Sequence, residues 1–161
     1  MKREIGESLT KGLLAGYAGG IPRDVERGDI KGKVSHVTLP NNVLYHDEWF
    51  ARFNGGGQEI VEVDGVKFTR LYGGGEPDES VLISLGISDE EIGKYLIGQI
   101  KKLASKTRLF EDCTPEPDGD WQYEYRVTLN NEVLKLTTGL EKISYKNTNV
   151  FAHAFILTPI I

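Results

Sequence analysis

Apolar residues recur every three to four positions in two stretches of this chain and every second position in most of the rest. Over 87–106, Ile92, Tyr95, Leu96, Ile100 and Leu103 draw one stripe, the spacing of an amphipathic helix. Ser88 with Glu91 three residues on makes a capping box, and Ile87 stands where it would staple onto Ile92. A second helix is expected near the start, where Ile5, Leu9, Leu13 and Tyr17 fall four apart before Gly19-Gly20. Gly6, Gly12 and Gly16 weaken that helix by roughly 0.5 to 1 kcal/mol each relative to Ala, but they leave a small face that permits close approach to a sheet.

The alternating stretches predict hairpins. The polar segment 21–33, with Pro22, Gly28 and Gly32, is expected to be a surface loop. Strands follow over 34–39 and 43–53 around Pro40-Asn41-Asn42, and over 58–63 and 66–72 around Asp64-Gly65, the pair that a type I′ hairpin favours. Gly55-Gly56-Gly57 and Gly73-Gly74-Gly75 are expected to interrupt the strands, and 81–85 to lead into the long helix. Beyond it, Trp121, Tyr123, Tyr125, Val127 and Leu129 alternate with polar residues. A two-residue Asn130-Asn131 turn into 132–137 would set Val127 opposite Leu134 and Tyr125 opposite Leu136. A last hairpin joins 141–146 with 150–157.

The order helix, hairpin, hairpin therefore comes twice, with Gly56-Gly57-Gln58-Glu59-Ile60 opposite Gly139-Leu140-Glu141-Lys142-Ile143. We expect one α+β domain over 1–161, a mostly antiparallel sheet with two helices, pseudo-duplicated into halves of about 1–86 and 87–161.

A net charge of −5 argues against nucleic acid or an anionic membrane surface as partner, since both need clustered Lys and Arg. The local cluster Lys101, Lys102, Lys106 and Arg108 reads as a solvated helix end, where the dipole favours cations. Cys113 is the single cysteine, so no internal disulfide forms, and the anions Glu111, Asp112 and Glu116 around it raise its pKa. No run is long enough to span a bilayer and Met1 to Gly20 lacks the basic, apolar, cleavage-site order of a signal peptide, so a cytoplasmic protein without a membrane partner is expected. Neither glycine run continues as a phosphate loop, and no nucleophile elbow or metal-ligand spacing occurs; no cofactor and no metal are expected. His36, His46 and Glu48 would meet only if the strand register placed them together, and His153 between Phe151 and Phe155 reads as a core histidine.

The most pointed lead is a charged set on an oily face. Asp47 sits among Val43, Tyr45, Trp49, Ala51 and Phe53, and the Asp64-Gly65 hairpin sets Glu59 opposite Arg70, with Tyr72 just beyond. Buried charges are costly unless paired. Asp47, Glu59 and Arg70 are therefore either a structural ion-pair set near the sheet edge or the floor of a cavity walled by Tyr45, Trp49, Phe68, Tyr72 and Tyr125. In the second case Arg70 would hold an anionic or carbonyl-containing small molecule, and Arg70→Ala would abolish binding in a protein that still folds. The expected function is a small-ligand-binding or sensing module. Its rivals are a hydrolase or isomerase using Asp47 or Glu59, and a non-catalytic homodimeric interaction protein. The apolar run 155–161 is either a buried last strand or a subunit contact, and a homodimer is expected.

Tyr45-His46-Asp47 entering Trp49-Phe50, the glycines before Glu59-Ile60, Val66, Tyr72-Gly73 and the run from Tyr123 to Ile143 resemble a family of small prokaryotic domains of unknown function. Members of that family sometimes stand carboxy-terminal to helix-turn-helix regulators. The resemblance implies a sensing role. This chain differs from them in lacking the helix-turn-helix and in its longer 21–33 segment.

Overall fold

The computed structural model describes residues 2–20, 22–50, 54–106 and 110–161. Helix α1 (Lys2–Ala15) is followed by strands β1 (Arg23–Arg27), β2 (Ile30–Thr38), β3 (Leu44–Phe50), β4 (Asn54–Val63) and β5 (Val66–Gly75). Helices α2 (Glu79–Leu85) and α3 (Asp89–Leu103) lead to β6 (Trp121–Asn131), β7 (Leu136–Tyr145) and β8 (Thr148–Ile160). All eight strands form one antiparallel sheet, in the order β1-β2-β3-β4-β5-β8-β7-β6. The protein is an α+β fold with three helices rather than two among the described residues.

Local chemistry explains most of the elements. Ser88 accepts from the Glu91 N–H while the Glu91 carboxylate accepts from the Ser88 N–H, so α3 starts on a complete capping box. Ile92, Leu96 and Ile100 point its stripe inward. Asp64 and Gly65 both take positive φ, and Val63 pairs with Val66, as a type I′ hairpin requires. Gly86 in the left-handed region closes α2 by donating to the Leu82 and Ile83 carbonyls. Segment 81–85 was expected only to lead into the long helix; it is instead most of a separate short helix, which Gly86 ends.

Three further expectations are corrected. Segment 23–34 is a hairpin, with Arg27 opposite Ile30, rather than a loop; its charged, mostly exposed β1 lies at the sheet edge, where no apolar face is needed. The two glycine runs do not interrupt the strands. They pair with each other, Gly56 with Gly73 and Gly55 with Gly74. Finally, β6 runs on through Asn131, which pairs with Leu136, so the loop is 132–135 and Tyr125 faces Glu141 instead of Leu136. The segments 132–137 and 141–146 were expected as separate strands; 136–145 is one strand. The second half is therefore a three-stranded meander. The expected inward positions Ala51 and Phe53, and Arg108 of the basic cluster, lie outside the described residues.

The core lies on one sheet face. There α1 packs on β3 and β4, and Tyr95 of α3 stacks on Trp121 of β6 with ring centroids 4.9 Å apart. Strand β8, made from the apolar end of the chain, buries Phe151, Phe155 and Leu157 between β5 and β7. No described helix is long and apolar enough to cross a membrane.

Candidate functional site

The centre of the sheet is a five-membered relay of buried polar side chains. Tyr45 on β3 donates to Glu59 Oε1 on β4 at 2.8 Å, and Arg70 on β5 donates through Nη1 to Glu59 Oε2 at 2.7 Å. Through Nη2 the same guanidinium reaches Glu141 Oε2 on β7 at 3.2 Å, and Tyr123 on β6 donates to Glu141 Oε1 at 2.8 Å. Each carboxylate thus gives one oxygen to a phenol and the other to Arg70. All five side chains are buried at 1% exposure or less. The Arg70 guanidinium also lies 5.4 Å from the Tyr72 ring and 5.0 Å from the Phe155 ring.

Glycines open the paths these side chains take across the sheet. Tyr72 on β5 passes over β4 at Gly57, where a Cβ would stand 2.5 Å from the phenol oxygen, and donates to Asp47 Oδ1 on β3 at 2.9 Å. Phe155 on β8 passes over β7 at Gly139, where a Cβ would stand 2.3 Å from the ring, and stacks on Tyr125 of β6. The two crossings match strand for strand. Tyr45 with Asp47, Gly57 with Glu59 and Tyr72 on β3, β4 and β5 stand as Tyr123 with Tyr125, Gly139 with Glu141 and Phe155 stand on β6, β7 and β8.

Between this floor and the helices is a cavity of about 150 Å³. Asp47 and Glu59 line it from the sheet, Trp49 and Tyr72 from its sides, Ile92 and Leu96 from α3, and Phe151 and His153 from β8. Leu13 and Tyr17 close the α1 side, and the Tyr17 and Trp49 rings meet edge to face at 82°. Four of the six expected ligand residues, Asp47, Glu59, Trp49 and Tyr72, are therefore brought to one cavity.

Arg70 and Tyr45 do not line it. Both lie beneath it, and the guanidinium expected to hold an anionic or carbonyl group is committed to two carboxylates instead. Phe68 lines a separate, larger cavity of about 560 Å³ at the far end of the sheet, and Tyr125 packs on Phe155. We place the site at the smaller cavity because Glu59 of the polar relay lines it together with Asp47, whereas the larger one opens among hairpin ends.

No family model, curated protein or solved structure matches this chain.

Glu141, Tyr123, Glu76 and Phe151 were missed from sequence, and His153, expected as a plain core residue, faces the cavity. A signal for Glu141 existed: Gly57-x-Glu59-x-Val61 returns as Gly139-x-Glu141-x-Ile143, one position away from the alignment expected. Another is Glu4-Ile5-Gly6-x-x-Leu9 against Glu91-Ile92-Gly93-x-x-Leu96. Elsewhere the register does pair His36 with His46, and Glu48 lies 3.6 Å from His46 Nε2, but Arg27 takes the same Glu48 oxygen at 3.0 Å. No group of three metal-ligating side chains is assembled among the described residues. Burial, rather than the flanking anions expected to do so, raises the Cys113 thiol, and Lys106 acts against it.

Glu76, just past β5, also lines the cavity. Its Oε2 is buried with no hydrogen-bond partner in the structure. Burial first, and the Asp89 carboxylate second, push its carboxyl up to about 7. The folded protein therefore keeps a proton there that the unfolded chain loses near 4.5. Stability should fall as pH rises from the lower value to the upper and level off beyond it. We expect an amplitude of order 1 kcal/mol, because water reaching the side chain screens much of the effect. Urea denaturation across that window would show the slope, and Glu76→Gln should flatten it; an unchanged slope in the variant would assign the effect elsewhere.

Proposed function

We propose that the protein is a small-ligand-binding or sensing module whose ligand sits in the cavity above Asp47 and Glu59, between Trp49 and Tyr72. The observation that carries this reading is the cavity itself: carboxylates and aromatic rings converge on an empty volume whose floor is locked by the Tyr45, Glu59, Arg70, Glu141, Tyr123 relay. A locked floor suits recognition, since little ordering remains to be done on binding. An apolar cavity of about this volume admits a ligand of the size of benzene, so compounds of roughly six to ten non-hydrogen atoms are the relevant class.

A fragment screen read on the Trp49 indole N–H resonance tests it. Ligands should move that resonance and raise the melting temperature, and Trp49→Ala, which has no indole at that position to follow, should stay folded and lose the rise in melting temperature. A screen in which wild type and variant respond alike would dispose of the site.

A second reading, a hydrolase or isomerase, is favoured by Glu76, because a carboxyl pushed up to about 7 by burial on the same cavity as Asp47 suits general acid–base work. Both oxygens of Glu59 are already engaged, so Asp47 and Glu76 would be the acting pair. The matched constellations on β3-β4-β5 and β6-β7-β8 support an internal duplication, with β1 and β2 added to the first half. The homodimer expected from sequence also stays a proposal, and its support is the opposed pair Leu71 and Ile156, each 43% exposed on the sheet face away from the helices.

A further inference from the structure

Resting on that reading of the cavity as a ligand site, we propose that its ligand is a small organic cation, an ammonium or methylated ammonium of about the size of choline. Its walls and floor point to this class independently. The rings of Tyr17, Trp49, Tyr72 and Phe151 surround the volume, and two of them meet nearly at right angles, at 82°. Aromatic faces carry the negative side of the ring quadrupole, so a corner of rings attracts a cation and does nothing comparable for an anion. The carboxylates of Asp47 and Glu76 line the same volume, as does that of Glu59, which is paired with Arg70 below.

The lining contains no Lys or Arg among the described residues, and Arg70 below it is bonded to Glu59 and Glu141. An incoming carboxylate would meet like charge with no guanidinium to receive it, at a cost that grows with burial. A neutral apolar ligand would fit the rings but would strip water from the carboxylates without replacing it. A carbonyl would find the Tyr72 hydroxyl already donated to Asp47. A cation satisfies rings and carboxylates together. The lining side chain able to favour an anion is His153, whose ring lies tilted against those of Tyr72 and Phe151 at centroid distances of 5.2 and 4.4 Å. It sets the test to make.

Three probes of one shape and different charge decide between the classes: choline, its neutral counterpart 3,3-dimethylbutan-1-ol, and 3,3-dimethylbutanoate. Titrated into the full chain and followed at the Trp49 indole resonance, choline should bind at least about tenfold more tightly than the alcohol, with the butanoate weakest. At pH 8, where Glu76 has lost its proton, Glu76→Gln should weaken choline without affecting the alcohol, and Trp49→Phe, followed by titration calorimetry in place of the lost indole signal, should weaken choline several-fold. Because Glu76 lies at the cavity margin, that variant reads charge even if changes at Asp47 prove hard to fold. Alcohol or butanoate binding as tightly as choline would overturn the cation while leaving the cavity a ligand site. Silence of the Trp49 resonance towards all three would overturn both.

Discussion

Arg70→Met should cost roughly 3 to 5 kcal/mol of folding stability, the largest effect we expect from any single change outside the hydrophobic core. The side chain is 1% exposed and is the cation between Glu59 and Glu141, which are both fully buried. Methionine fills much of the same space but leaves two buried carboxylates without the cation that pairs them. Against a total of about 5 to 15 kcal/mol for a domain of this size, the loss takes a large share of the whole. The consequence reverses what the sequence suggested, namely a folded Arg70→Ala protein that merely fails to bind. The midpoint of urea unfolding measures it. The combined variant Arg70→Met, Glu59→Gln, Glu141→Gln should recover most of the loss, since glutamine still accepts from Tyr45 and Tyr123 but carries no charge. A single Arg70→Met protein within about 1 kcal/mol of wild type would show that the relay is not held by its ion pairs.

Gly12→Ala should be destabilising by roughly 1 to 3 kcal/mol even though alanine is the better helix former. A Cβ at Gly12 would stand 2.1 Å from two carbons of the Tyr45 ring. That ring has nowhere to go: Tyr45 is fully buried and its hydroxyl is tied to Glu59. Either α1 lifts from β3 or the phenol leaves the relay, and both outcomes lose packing. Gly98 on α3 provides the control, because a Cβ there meets nothing within 4 Å. Gly98→Ala should therefore raise stability by about 0.5 to 1 kcal/mol. If both alanines stabilise alike, helix propensity outweighs packing and α1 is not held at the sheet by its small face.

Much of the site could be read from the chain because it depends on short-range rules. Asp64-Gly65 sets a two-residue turn, and that turn alone places Glu59 opposite Arg70 and Val61 opposite Phe68, as observed. Strand alternation then turns Tyr45, Asp47 and Trp49 to one side. The small face was legible too, in Gly12 on α1 and Gly16 just past its end, which approach Tyr45 and Ser35. What misled was the second half, where reading Asn130-Asn131 as the turn displaced every later partner and hid Glu141. A loop of four residues leaves little local signature, and a shift of one position in a strand exchanges its faces. Glu76 and His153 could not be assigned to the cavity for a related reason: one follows β5 and the other lies within β8, elements whose neighbours in space are far away in sequence.

By itself, then, the sequence determined the helix start at Ser88, the hairpin at Asp64-Gly65 and the inward turn of Asp47, Glu59 and Arg70, because capping, turn geometry and alternation act over a few residues. Only the tertiary structure decided that β8 inserts between β5 and β7, which carries Glu141 to Arg70 across 71 residues of chain. That insertion makes the arginine a structural bridge and leaves the cavity above it lined with carboxylates and rings. Pairing between distant strands depends on which edges remain open when the chain collapses, and no nearby residue encodes that choice.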